Sequence, residues 1–424
     1  MVNYRKFKLK NGMEILFSDI PHRNDIGIHI VCRIGSNYET KELNGMSHFL
    51  EHMCFKGTIN RDKLQIIEDF AKIGASYNAA TSDDYTTYYG ISHKRYWKSL
   101  LDIILDIYMN STFPKNEIDL ERNVVIEEMN MYQNDEEHVL HSNILEKLYG
   151  DQPAGRTILG LKRNVRKFNR TDLVEFKEKY YTSNNTFIMV IGNLEENINN
   201  ILSIIKGKVS KLKRGKKNKV IATYDKQKGI RLRFLHQNIS QSTLQFVFRA
   251  DKAANRYIYK YELLSTIIGG GPSSRLYKLL REERGLSYHT SAHLEYSFDH
   301  GFMTIKIGVD NEKIFETIEV VMKFLKDLKT NLISEKELKF AKKLLNIQEE
   351  LLLETHEDYA TYLEKYMVYG KDLEKLPARI KKRNNVTSRQ LLNLSKRFFI
   401  NSKFVFVYLG PKKHSNKLEK MLTF

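Results

Sequence analysis

The sequence predicts an α+β protein made of two homologous domains, each an α/β sandwich in which a mixed sheet packs against helices. Three observations lead there. At 424 residues the chain is too long for one ordinary domain. Each half runs from segments with β-branched and aromatic bias into long helical segments. Finally, "GASYNAATSDDYTTYYG", beginning at Gly74, is echoed by "GLSYHTSAHLEYSFDHG", beginning at Gly285; the two share Gly-x-Ser-Tyr at an offset of 211, close to half the chain. A basic stretch, "KGKVSKLKRGKKNK" from Lys206 to Lys219, lies almost at the midpoint. The expected organisation is therefore a domain over 1–205, a basic linker over 206–226 and a second domain over 227–424.

Taken in order, "MVNYRKFKLKNGMEILF" alternates charged and apolar residues like a strand. "MEILFSD" and "IGIHIVCRIG" read as further strands, and "NGMSHFLEHMCFKG" as a helix capped by Asn44 and closed by Gly57. "YTTYYGIS" reads as a strand, "KNEIDLERNVVIEEMNMYQ" as a long helix and "NTFIMVIGNL" as a strand. The second half repeats the theme with "STLQFVFRA", a helix around "YKYELLSTIIGG", and "HGFMTIKIGV". The glycines Gly269 to Gly271 precede "PSSR" and lack the Lys-Ser/Thr ending of a phosphate loop, so they read as a helix stop and turn.

Composition narrows the function classes. With 42% hydrophobic and 28% charged residues the chain has the balance of a soluble globular protein. No apolar run approaches the roughly 18 residues of a membrane helix, and the N-terminus lacks the apolar core of a signal peptide. The expected location is cytoplasmic, with no membrane partner. Only Cys32 and Cys54 are present, so no disulfide framework holds the fold. The net charge of +18 is concentrated in part in the basic stretch, which holds eight Lys and Arg residues and no acid. It reads as a solvated, self-repelling connector. No zinc-finger or RNP-type sequence and no clear helix-turn-helix accompanies it, so nucleic acid is not the expected partner.

The chemistry is concentrated in "HFLEHMCFKGT", from His48 to Thr58. On a helix, His48, Glu51 and His52 share a face, while Met46, Phe49, Leu50 and Met53 point into a core. Two imidazoles one turn apart make a bidentate grip for zinc, and a carboxylate beside them can take a proton from an attacking water. The plain alternative is an exposed polar stripe. A third ligand is available in "ERNVVIEEMN", which offers Glu121, Glu127 and Glu128. Glu121 and Glu128 lie two turns apart on one face, with Glu127 about 100° away. That spacing favours Glu128 as ligand with Glu121 behind it, but it also fits the reverse, and without the histidines it would fit a solvated acidic face. Cys54, about 200° round the helix from His52, reads as a small packed residue.

The pattern His48-x-x-Glu51-His52 followed by Glu128 resembles the inverted zinc motif of the pitrilysin and mitochondrial processing peptidase family. The likeness extends to "NGMSHFLEHMCFKGT", "YNAATSDDYTTYY", "ERNVVIEEM", "LVEFKEKYYTSNNTFIMVIGNL" and "GGGPSSRLYKLLREERGLSY", which run in the family's order through most of the chain. The resemblance implies one zinc ion per chain on His48, His52 and Glu128, with Glu51 as general base and Glu121 orienting a ligand. It also implies an edge strand at "NAATS" that pairs with a peptide backbone, Asn78 and Ala79 being nearest the scissile bond. Arg281 and Tyr288 match a pair that contacts the substrate carbonyl opposite the zinc, from the partner subunit of a four-domain clamshell. The implied function is a zinc endopeptidase acting on unfolded peptides, assembled as a homodimer or with a related chain. The alternative is a non-catalytic, peptide-binding or assembly subunit of a heteromeric peptidase.

Overall fold

In the computed structural model, which describes residues 4–194, 197–253, 257–351, 355–369, 376–412 and 416–424, the alternating and apolar segments become two mixed sheets. The first comprises Tyr4–Lys8 (β1), Glu14–Asp19 (β2), Asp25–Cys32 (β3), Ser76–Thr81 (β4), Thr86–His93 (β5) and Thr186–Gly192 (β6), in the order β1-β2-β6-β3-β5-β4. The second comprises Arg231–His236 (β7), Gln241–Ala250 (β8), Ser287–Tyr296 (β9), Gly301–Asp310 (β10) and Phe404–Gly410 (β11), in the order β7-β11-β8-β10-β9.

The two sheets share one topology. β2 pairs parallel with β6, and β7 parallel with β11. From there β6, β3, β5 and β4 are joined antiparallel, as are β11, β8, β10 and β9. The Gly-x-Ser-Tyr repeat falls at the entry to the equivalent edge strands β4 and β9. Gly74 has φ +58° and Gly285 φ +60°, left-handed values that disfavour a Cβ, which explains a glycine at both places.

β6 ("TFIMVIG") and β11 ("FVFVYLG") are buried at every residue, so each sheet must be covered on both faces. In the first unit, one face carries the helices Met46–Met53 and Trp97–Met109, which pack Phe49, Leu50, Leu101 and Ile104 against Ile28 and Ile30. The opposite face, lined by Leu16, Val31, Phe187, Met189 and Ile191, is covered by Leu363 and Met367 of the helix His356–Tyr369. In the second unit, Ile258–Gly269 and Ile314–Asp327 cover one face around Phe246, Ile305 and Phe406. Its other face takes Leu140, Ile144 and Leu148 of the helix Glu136–Tyr149 against Val247, Phe302, Val405 and Val407. Burying each such leucine or methionine contributes roughly 1.5–3 kcal/mol.

The compact units consequently exchange segments. One takes in Met1–Asp135, Arg156–Ile221 and Leu353–Leu373, and the other Glu136–Gly155, Ala222–Leu352 and Glu374–Phe424. The basic stretch starts in the helix Ile198–Val209 and continues as extended chain with all eight basic side chains exposed. Its backbone is tied to the first unit: Lys213 O accepts from Ser183 N–H, Lys216 O from the Asn185 amide, and the Gly215 N–H donates to Asn184 Oδ1. Among the described residues, no helix is long and apolar enough to cross a membrane.

Candidate metal centre

The helix Met46–Met53 is short, and its start differs from the expected Asn44 cap. Gly45 precedes it with φ +100°, and Asn44 instead donates to Glu39 Oε2 and to Thr157 O. The cap is Glu39, whose carboxylate accepts the Gly45 N–H at 2.8 Å and the Ser47 N–H at 2.7 Å. A carboxylate at a helix N-terminus satisfies free donors and complements the helix dipole. Burial raises the Glu39 pKa, while these hydrogen bonds oppose the rise. The helix also ends before the expected Gly57: Met53 is its last residue and the chain turns through Cys54–Lys56.

Met46, Phe49, Leu50 and Met53 are fully buried, fixing the rotation of the helix. Cys54 is buried with them, its Sγ 3.5 Å from the Tyr88 hydroxyl, as a packed residue should be. His48, Glu51 and His52 then lie toward the helix Lys115–Gln133 and strand β4. His48 Nε2 is 3.7 Å and His52 Nε2 3.5 Å from Glu128 Oε2. One ligand atom from each of His48, His52 and Glu128 lies within 4.8 Å of the others. Glu121 Oε1 sits 2.8 Å from His52 Nδ1, and its Oε2 is 2.7 Å from Lys56 Nζ. The helix geometry thus gives the two acids different sides of the same imidazole. Glu127 lies apart and takes a bond from Asn130.

The donor set fits zinc. Burial, with His52 alongside, lowers the His48 pKa to about 3, so its imidazole is neutral and offers a lone pair at neutral pH. Burial pulls His52 down as well, but the Glu121 hydrogen bond and the neighbouring carboxylates outweigh it. Glu121 is held below the usual carboxylate range: burial raises it, and His52 and Lys56 together more than compensate. Two imidazoles and a carboxylate converging in this way, with one imidazole held from behind by a second carboxylate, is the arrangement of a three-ligand zinc site.

Glu51 is 8% exposed, and its pKa is raised by burial although Thr81 and His52 oppose that rise. Thr81 Oγ donates to Glu51 Oε2 at 2.5 Å. Thr81 closes β4, which lies at the end of its sheet and, among the described residues, pairs only with β5. On this strand Asn78 is exposed and Ala79 buried, and the Asn78 side chain accepts the Ala79 N–H. Arg281 and Tyr288 belong to the second unit. There the Arg281 guanidinium donates to Tyr288 O at 3.2 Å and lies over the Tyr277 ring, while the Tyr288 side chain is 78% exposed.

Several participants carried no sequence signal. Glu39 reaches its helix across six to eight residues, outside any local capping pattern. Lys56 lay within "HFLEHMCFKGT" and Thr81 within "NAATS", each with no role of its own.

Residues 15–162 match the family described as Insulinase (Peptidase family M16), and residues 167–345 match the Peptidase M16 inactive domain. A Rickettsia felis protein named an uncharacterized zinc protease is 32% identical over 373 residues, covering 85% of this chain and 88% of its own. The uncharacterized zinc protease YmxG of Bacillus subtilis is 32% identical over 345 residues, covering 80% of this chain and 81% of its own. A protease from Helicobacter pylori has the same fold, with a TM-score of 0.87 at 22% identity, covering 97% of this chain and all of that one. A duplicated α+β chain with a two-histidine, one-carboxylate cluster in its first unit is of metallopeptidase type. The chain belongs to peptidase family M16.

Proposed function

We propose that the protein is a zinc-dependent endopeptidase that hydrolyses unfolded peptides bound as an extended strand. The observation that carries this reading is the convergence of His48, His52 and Glu128 beside the buried Glu51. Zinc held by the two Nε2 atoms and Glu128 would supply Lewis acidity, polarising the scissile carbonyl and lowering the pKa of water toward about 7.

The rest is the work of this chain's side chains. Glu51 takes the proton of the attacking water and returns it to the leaving amine nitrogen. Burial raises its pKa above the ordinary carboxylate value, the direction that favours returning the proton. Glu121 holds the His52 Nδ1 proton, which leaves the Nε2 lone pair, on the side of Glu128, free to hold a metal. The open edge of β4 offers backbone groups to a peptide, with Asn78 and Ala79 flanking the bond to be cut. Arg281 and Tyr288 contact the substrate carbonyl from the partner subunit of a clamshell, most simply a homodimer, with a related chain as the other possible partner. The exposed Tyr288 ring supports this role. A cytoplasmic location belongs to the same reading, supported by the two free, buried thiols.

The test is zinc analysis of the purified chain together with cleavage of a quenched peptide library. About one zinc per chain is expected, with turnover that stops on chelation and returns with zinc. Stoichiometric zinc without turnover on any unfolded peptide would instead mark a non-catalytic peptide-binding subunit.

A further inference from the structure

The geometry points to Thr81 as the residue that positions the proton-transfer carboxylate, tying Glu51 to the strand proposed to hold the peptide. This inference rests on the endopeptidase reading. Among the described residues, the Thr81 hydroxyl is the one hydrogen-bond donor to the Glu51 carboxylate, at 2.5 Å. A glutamate has three side-chain torsions, and burial alone does not select among them. A hydrogen bond to an ionised carboxylate is among the stronger ones available. Here it fixes Oε2 and leaves Oε1 to exchange the proton.

Thr81 is itself well held. Its backbone is opposite Thr86 at the last register position of β4 with β5, and the following turn is closed by Ser82 N–H to Tyr85 O. A β-branched residue in a strand has few χ1 choices, so the hydroxyl direction follows from the backbone. On the same face of the strand, Ala79 is buried and Tyr77 stacks on Phe70 with ring centroids 3.8 Å apart. The strand is thereby fixed against the first unit's core, and Thr81 passes that fixed geometry to Glu51. Any peptide lying along the free edge of β4 and the carboxylate that acts on it share one rigid reference.

The test compares Thr81→Val, which keeps the shape and removes the hydroxyl, with Thr81→Ser, which keeps the hydroxyl. Thr81→Val is expected to lose on the order of 10- to 100-fold in kcat, with KM within about twofold and zinc content unchanged. Thr81→Ser should restore kcat to within about threefold. Crystal structures of both variants add a readout independent of turnover: one Glu51 carboxylate position in Thr81→Ser and a displaced or multiple one in Thr81→Val. Unchanged kcat in Thr81→Val, a rise confined to KM, loss of zinc, or an unmoved Glu51 carboxylate would each overturn the positioning role. An inactive wild-type chain with bound zinc would defeat the endopeptidase reading, and the carboxylate position in the crystals would still decide this one.

Discussion

His29 and His356, 327 residues apart, meet Nε2 to Nε2 at 3.1 Å inside the first unit. His29 also lies with Nδ1 3.4 Å from Glu364 and stacks on Tyr89, while Glu364 accepts the Thr87 hydroxyl. Gly27 makes room for the pair: a Cβ there would fall 1.9 Å from His356 Nε2.

That contact predicts acid sensitivity. Burial, reinforced by His29 and Arg23 and opposed by Asp25, lowers the His356 pKa to about 3. Below its ordinary value of about 6.5 the unfolded chain gains a proton that the folded chain refuses, so stability falls as pH drops through the window from about 6.5 to 3. The slope from this group approaches about 1.4 kcal/mol per pH unit. Urea unfolding at pH 7.5 and 5.5 should show the loss, and His356→Gln should show less of it. Equal pH dependence in the variant would assign the effect elsewhere.

Removing the support behind His52 should loosen the metal without destroying the site. Glu121→Gln is expected to weaken zinc binding by roughly 10- to 100-fold, read by competition with a chromophoric chelator. Lys56→Met should follow in the same direction with a smaller effect, since it acts through Glu121.

Glu51→Gln should keep its zinc and lose hydrolysis by roughly 100-fold or more. Mixed with a Tyr288→Phe chain, it should recover activity, because one site of each mixed dimer is intact if Tyr288 is supplied by the partner. The measurement is turnover after verified subunit exchange. No rescue would mean that both residues act within one chain.

Glu39→Ala leaves two helix N–H groups buried without their acceptor and should cost about 2 kcal/mol or more. Chemical unfolding measures it. Glu39→Gln, which keeps one acceptor, should cost less.

Much of this was legible in the sequence because its signals are local. The strand runs, the helix Lys115–Gln133, the turn at Gly269–Gly271 and the histidine pair all follow from periodicity and spacing within about twenty residues. The repeat at Gly74 and Gly285 was legible as well, and its cause is a shared backbone requirement. What stayed hidden depends on tertiary approach. Spacing favoured Glu128 as the ligand but also fitted Glu121, because the two share a helix face. Only the packing of that helix on Met46–Met53 brings one to Nδ1 and the other to Nε2. Asn44 looked like a cap by residue type, but Glu39 reaches the same donors with a full charge. The contact of His29 with His356 had no local trace, since each is an ordinary histidine within its own segment.

The exchanged helices have a practical consequence. A gene cut at the midpoint would give two fragments, each stripped of a layer: the first would bare Leu16, Val31, Phe187 and Met189, the second Val247, Val405 and Val407. Such fragments should aggregate when made separately and dissolve when made together. Each compact unit takes a segment from the other half of the sequence, so neither half can be lent to another protein as a self-contained module.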